Sequence, residues 1–190
     1  MKNKIKKFKI KKLKNAKFII TGLAKYKQNG KDKSWEVIKA HDSVAILIYH
    51  TSRDTFVLVK QFRPAVYINN NDGLSLELCA GLVDKSLSLV DIAKEEIEEE
   101  CGYSVKRENI KKITSFHTSV GFAGTMQTLY YAEVDDSMKV SEGGGVEDEQ
   151  IEVVYLPTSK AKKVIYDENE VRTAGLMFAF LWWFGGRGIS

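Results

Sequence analysis

Hydrophobic positions along the chain come in short blocks separated by polar turns, a pattern of many strands and few helices. Residues 17–27 and 34–40 read as two strands around Gln28-Asn29-Gly30-Lys31, where the central Asn-Gly favours a tight hairpin. Val44 to Tyr49 is apolar throughout, as expected of a strand buried on both faces. Thr55 to Phe62 alternates and is rich in β-branched and aromatic residues, and the polar run His50 to Asp54 joins the two. Asn69 to Gly73 reads as a loop, and Leu74 to Leu78 alternates with period two. From Ser88 to Glu100 the period changes: Leu89, Ile92, Ala93 and Ile97 form one helical stripe, with Ser88 placed to cap it. Residues 110–116, 127–134 and 151–156 are further strands, and 159–166 and 171–184 are helices. The class this implies is α+β, with helices packed on a mixed sheet.

A chain of 190 residues can bury a sizeable core as one domain with a small extension. Two cysteines, Cys79 and Cys101, are too few for a disulfide framework, and the lysine-rich start lacks the apolar stretch of a signal peptide. A reducing, cytoplasmic setting is therefore expected. The apolar run Ala174 to Phe184 falls short of the roughly 20 residues a membrane span needs, so no membrane partner is expected. The net charge of +4 hides an asymmetry. Residues 1–17 carry nine lysines and no acid, so the rest of the chain has a net charge of −5. Such an arm could bind nucleic acid or an anionic surface. With only Phe8 available for stacking, a solvated extension is the simpler reading, and nucleic acid is not expected as a partner.

Chemistry concentrates in Gly81 to Tyr103. On a helix Glu96, Glu99 and Glu100 stand at i, i+3 and i+4 and share a face. Three acids near a helix C-terminus repel one another and oppose the macrodipole. A hard divalent cation would relieve both effects. A solvated acidic face is the competing reading, but the flanks favour the first. An apolar strand ends in Cys79-Ala80-Gly81, and Gly102 stands where a helix-terminating glycine belongs.

The segment resembles the Nudix box, G-x5-E-x7-R-E-U-x-E-E-x-G-U, in which U is a bulky apolar residue. Gly81, Glu96, Ile97, Glu99, Glu100, Gly102 and Tyr103 fall on the pattern. Leu87 replaces its first glutamate and Glu95 its arginine, the residue that helps to place the glutamates in the family. Lys94 is the nearest cation in sequence, though about 100° round the helix. Further strings extend the resemblance to nearly the whole chain: Ser34-Trp35-Glu36, His41 to Val44, Leu58 to Tyr67 and Glu77 to Asp84 look like the UDP-sugar pyrophosphatase branch, with ADP-ribose pyrophosphatases as wider relatives.

The resemblance implies an α/β/α sandwich at residues 41–190 preceded, at 1–40, by the basic arm and a strand extension that mediates a homodimer. It implies Mg²⁺, with Mn²⁺ an alternative, held by Glu96, Glu99, Glu100, the Ala80 carbonyl and Glu149. Glu147 would be the general base and Arg63 a phosphate contact. Trp35 is a candidate to stack on the base, with a core or dimer-interface aromatic as the competing reading. The glycine triplet Gly143-Gly144-Gly145 before the two loop acids is expected to make that loop mobile. The implied reaction is hydrolysis of a nucleoside diphosphate sugar, UDP-glucose to UMP and glucose 1-phosphate. The absence of Pro-Gly from Val120 to Gly124 leans towards UDP-sugars. ADP-ribose hydrolysis is the alternative within enzymes. A nucleotide-sugar binding module with weakened catalysis is the alternative outside them, suggested by Leu87 and Glu95.

Overall fold

A computed structural model describes residues 5–146 and 149–186. Two sheets are present. The first is the hairpin of β1 (Ile20–Gln28) and β2 (Lys31–Lys39), turned by Asn29 and Gly30 with φ of 53° and 77°. These left-handed values are why Asn-Gly sits there. Its exposed residues include Leu23, Trp35 and Val37, and it touches the body where the Ile38 amide donates to the Phe122 carbonyl at 2.8 Å.

The second sheet has seven strands: β3 (Ser43–His50), β4 (Thr55–Phe62), β5 (Leu74–Glu77), β6 (Cys79–Leu82), β7 (Lys111–Thr118), β8 (Thr125–Val134) and β9 (Ile151–Pro157). It is mixed, because β3 pairs parallel with β8 and every other strand pair is antiparallel. The central strand β3 is buried on both faces, in keeping with its unbroken apolar run. Alternate residues feed two cores. Val44, Ile46 and Ile48 pack with Ile92, Ala93, Ile97 and Cys101 of α2 (Leu89–Cys101). Ala45 and Leu47 pack with Ala161 and Ile165 of α3 (Thr158–Tyr166) and with Leu176, Ala179 and Phe180 of α4 (Ala174–Phe184). One sheet thus carries helices on both faces, and the class is α+β.

Three expectations need correction. Pro64–Asn70 is a short helix, α1, which the pattern of apolar residues did not reveal; its signal is Pro64 in the first turn, where a missing N–H costs nothing. The strand expected over Leu74–Leu78 is followed at once by a separate one, β6, which leaves β4 and pairs with β3 through Ala45↔Ala80 and Val44↔Gly81. The last helix starts at Ala174, not Val171, because the Thr173 hydroxyl caps it by accepting from the Leu176 amide. No helix among the described residues is long and apolar enough to cross a membrane.

β3 and α2 together place the chemistry. β3 fixes β6, so Ala80 and Gly81 lie at the sheet's surface directly under α2, and the apolar stripe of α2 turns its glutamate face towards them.

Candidate functional site

Helix α2 is fixed at both ends by the residues the sequence marked. The Ser88 hydroxyl accepts from the Asp91 amide, and Gly102 closes the helix at φ 75°, donating its amide to the Glu98 carbonyl at 3.0 Å. Between these caps Ile92, Ala93 and Ile97 of the apolar stripe are fully buried and Leu89 partly so, which sets the rotation of the helix about its axis. Glu96 and Glu100 consequently face β6, with Glu99 in the field of Glu96.

The fit is close. Glu100 is 4% exposed, and its Oε2 accepts the Ala80 amide at 2.9 Å. Glu96 lies over Gly81 so tightly that a Cβ there would fall 2.0 Å from its carboxylate oxygen. Gly81 is therefore required for proximity, since its backbone needs no left-handed angle. Beneath them the buried Cys79 and Cys101 act as apolar filling; burial pushes the Cys79 thiol well above its usual range, so it is not a ready nucleophile.

This crowding raises the acids. Burial, with the Glu99 carboxylate next, moves Glu96 up to about 7; burial also moves Glu100 up to about 8, against the Ala80 hydrogen bond that favours its charge. Glu149 adds to the repulsion at both. Among the described residues no three such groups already converge on one ion-sized point. The donor set nevertheless fits a hard divalent cation: oxygen ligands only, two of them desolvated, and a surplus of negative charge that a cation would relieve.

Two cations border the cluster. Arg63, at the end of β4, is half-exposed and within electrostatic reach of Glu100 and Glu149; its Nε and Nη2 donate to Glu77 at 2.8 and 2.6 Å. Lys85 donates to Glu95 at 2.7 Å and also lies in the field of Glu99 and Glu96. Lys85, rather than Lys94, is therefore the cation facing the box glutamates, and Glu95, which replaces the arginine of the motif, anchors it. Leu87, at the other departure, is 43% exposed and takes no part.

The described part of the loop between β8 and β9 is hydrogen-bonded to the end of α2. The Gly144 amide donates to the Glu100 carbonyl at 2.9 Å and the Gly145 amide to the Glu99 carbonyl at 3.1 Å. Lys139 Nζ reaches the Cys101 carbonyl at 3.2 Å. The last carbonyls of α2, orphaned within the helix, are thus satisfied by this loop. Its glycines, at φ 69°, 107° and 86°, adopt the left-handed backbone that makes such an approach possible. Glu149 lies beyond them, its Oε2 accepting the Val146 amide at 3.0 Å.

Glu96, Glu99, Glu100, Ala80, Glu149 and Arg63 are therefore gathered in one place. Trp35 is not among them: it stands on β2, 58% exposed, with its indole N–H donating to the Gly121 carbonyl at 2.6 Å. Glu147 lies outside the described residues. Glu77 and Lys85 were missed by sequence reasoning. Glu77 gives no local signal, because its partner is 14 residues away and meets it only through β4–β5 pairing.

Two outcomes follow from this geometry. Gly81→Ala should fold with a melting temperature close to wild type, because the Glu96 side chain rather than backbone must move aside, yet weaken the response to a divalent cation about tenfold or more; a metal response equal to wild type would contradict the packing. The raised values of Glu96 and Glu100 mean that the metal-free folded state holds more protons than the unfolded chain above pH 4.5. Its stability should therefore fall as pH rises towards 7 and 8. Thermal melts with chelator should show that fall, and Mg²⁺ should raise the melting temperature more at pH 8 than at pH 5.5. An equal metal effect at both pH values would argue against these carboxylates.

Comparison with known proteins bears on the family. No family model matches the chain. It is 40% identical over 188 residues to the uridine diphosphate glucose pyrophosphatase of Bos taurus, covering 84% of this chain and 85% of that one. The Mus musculus protein of the same name is 37% identical over the same shares. The GDP-mannose pyrophosphatase of Salmonella typhimurium is 43% identical over 131 residues, 68% of this chain and 67% of its own. With the box residues brought together as described and relatives of this similarity, the chain belongs to the Nudix hydrolases.

Proposed function

We propose that the protein hydrolyses the pyrophosphate bond of a nucleoside diphosphate sugar, UDP-glucose before others, giving UMP and sugar 1-phosphate. The observation that carries this reading is the packing of Glu96 and Glu100 against Ala80 and Gly81, with Arg63 at the edge of the same cluster. Glu96, Glu99, Glu100, the Ala80 carbonyl and Glu149 would hold Mg²⁺, or Mn²⁺ in its place. A divalent ion bound there would neutralise phosphoryl oxygens and lower the pKa of a water.

The chain's own groups supply the rest. Arg63 offers paired N–H donors to a phosphate. The Gly144 and Gly145 amides tie the loop to α2, so the helix glutamates and Glu149 are placed as one unit. The resemblance makes Glu147 the candidate base that takes a proton from the attacking water. Trp35 is proposed to stack on the nucleobase, its exposed ring being free to do so.

We assign residues 1–40 to an arm and dimerising extension and 41–190 to the hydrolase domain. Leu23, Val37 and Phe122 form an exposed apolar surface at the hairpin that a second copy would cover. The unpaired thiols of Cys79 and Cys101 suit a reducing, cytoplasmic setting. The GDP-mannose pyrophosphatases among the similar proteins make GDP-mannose the second substrate to test.

A panel of UDP-glucose, GDP-mannose and ADP-ribose with Mg²⁺, with products identified, is expected to give UMP and glucose 1-phosphate from the first at the highest kcat/KM. No release above blank from any of the three would overturn the proposal. Glu99→Gln and Glu100→Gln should each lower kcat by about a hundredfold or more while moving the melting temperature little. A loss of stability in proportion to activity would make the helix merely structural.

A further inference from the structure

We propose that Glu77, which lies outside the Nudix box, is a positioning residue that holds the Arg63 guanidinium ready for the substrate's diphosphate. The inference rests on the reading of Arg63 as a phosphate contact. Its ground is the asymmetry of the ion pair. Glu77 is 6% exposed, whereas the Arg63 side chain is 45% exposed. A pair serving stability alone gains little when one partner is so open to water, and a buried carboxylate is costly to keep.

The backbone around the pair is rigid. β4 and β5 pair antiparallel from Val59↔Glu77 to Phe62↔Leu74, and the Arg63 amide donates to the Gly73 carbonyl at 2.7 Å. Arg63 therefore leaves the sheet at a fixed point, and its side chain turns back beside β5 to reach Glu77. The carboxylate takes the guanidinium side-on, through Nε at 2.8 Å and Nη2 at 2.6 Å.

A guanidinium has five N–H groups in one plane. Two are used by Glu77, and among the described residues no other acceptor takes the remaining three. Those three belong to Nη1 and the outer side of Nη2, the edge that forms paired bonds with phosphate oxygens. Arg63 also lies in the field of Glu100 and Glu149, so the guanidinium is near enough to the carboxylate cluster to feel its charge. Glu77 thus removes rotamer freedom that the arginine would otherwise lose on meeting substrate. It is not a catalytic residue, because it is proposed to touch only Arg63.

The test is a double-mutant cycle on hydrolysis of UDP-glucose or GDP-mannose, whichever is turned over faster, with Mg²⁺. Glu77→Gln should raise KM about tenfold or more, with kcat changed much less and the melting temperature near wild type. Added to Arg63→Ala, it should raise KM no further. If Arg63→Ala raises KM and Glu77→Gln does not, or if the two effects add, the positioning role is overturned while the role of Arg63 stands. If Arg63→Ala itself leaves KM unchanged, the phosphate-contact reading fails and this inference with it. Should Glu77→Gln not fold, Arg63→Lys decides the matter from the other side. A lysine cannot hold Glu77 side-on while offering a second edge, so its KM should match that of Arg63→Ala, and a wild-type KM would overturn the proposal.

Discussion

Several carboxylates crowded at the C-terminal end of a helix, partly out of water, oppose one another and the helix dipole. In this chain that crowding is imposed by packing. The buried stripe of α2 fixes which way Glu96, Glu99 and Glu100 face, and the missing side chain at Gly81 lets one of them lie on the strand backbone. The sheet holds the strand in turn, through the pairing of β6 with the central strand β3. Burial first, and mutual repulsion after it, raise Glu96 and Glu100 above the usual carboxylate range, and a divalent cation is suited to relieve both effects.

The remaining polar groups around the cluster serve its placement. Lys85 and Glu95 form a pair at its rim, where the family motif would have an arginine on the helix. The loop between β8 and β9 ends the helix by donating amides to the carbonyls of Glu99 and Glu100. Helix termination and placement of these glutamates are therefore one set of contacts, which ties the position of Glu149 to that of Glu99 and Glu100. Arg63 and Glu77 form a second pair, with the cation exposed and the carboxylate buried.

What the sequence disclosed was what is encoded locally. The stripe of Leu89, Ile92, Ala93 and Ile97, the cap at Ser88 and the closing glycine at 102 lie within a few residues of what they determine, and all were legible. So was the hairpin at Asn29-Gly30. α1 was obscured because its segment Pro64–Asn70 is short and apolar in no helical rhythm, leaving Pro64 as its one local mark. The partners Arg63–Glu77 and Lys85–Glu95 depend on strand pairing and loop path, which no spacing rule encodes. The glycine triplet has a second physical use that its sequence does not display. Glycine permits motion, but it also permits left-handed backbone at close quarters, and only the contacts reveal which property is used.

The central claim is that α2 and β6 form a cation site for a diphosphate. Crystals grown with Mn²⁺ and measured at the manganese absorption edge test it most directly. The account predicts anomalous density enclosed by the carboxylates of Glu96, Glu99 and Glu100 and the Ala80 carbonyl. Manganese bound elsewhere, with those side chains turned to solvent and no density between them, would contradict it.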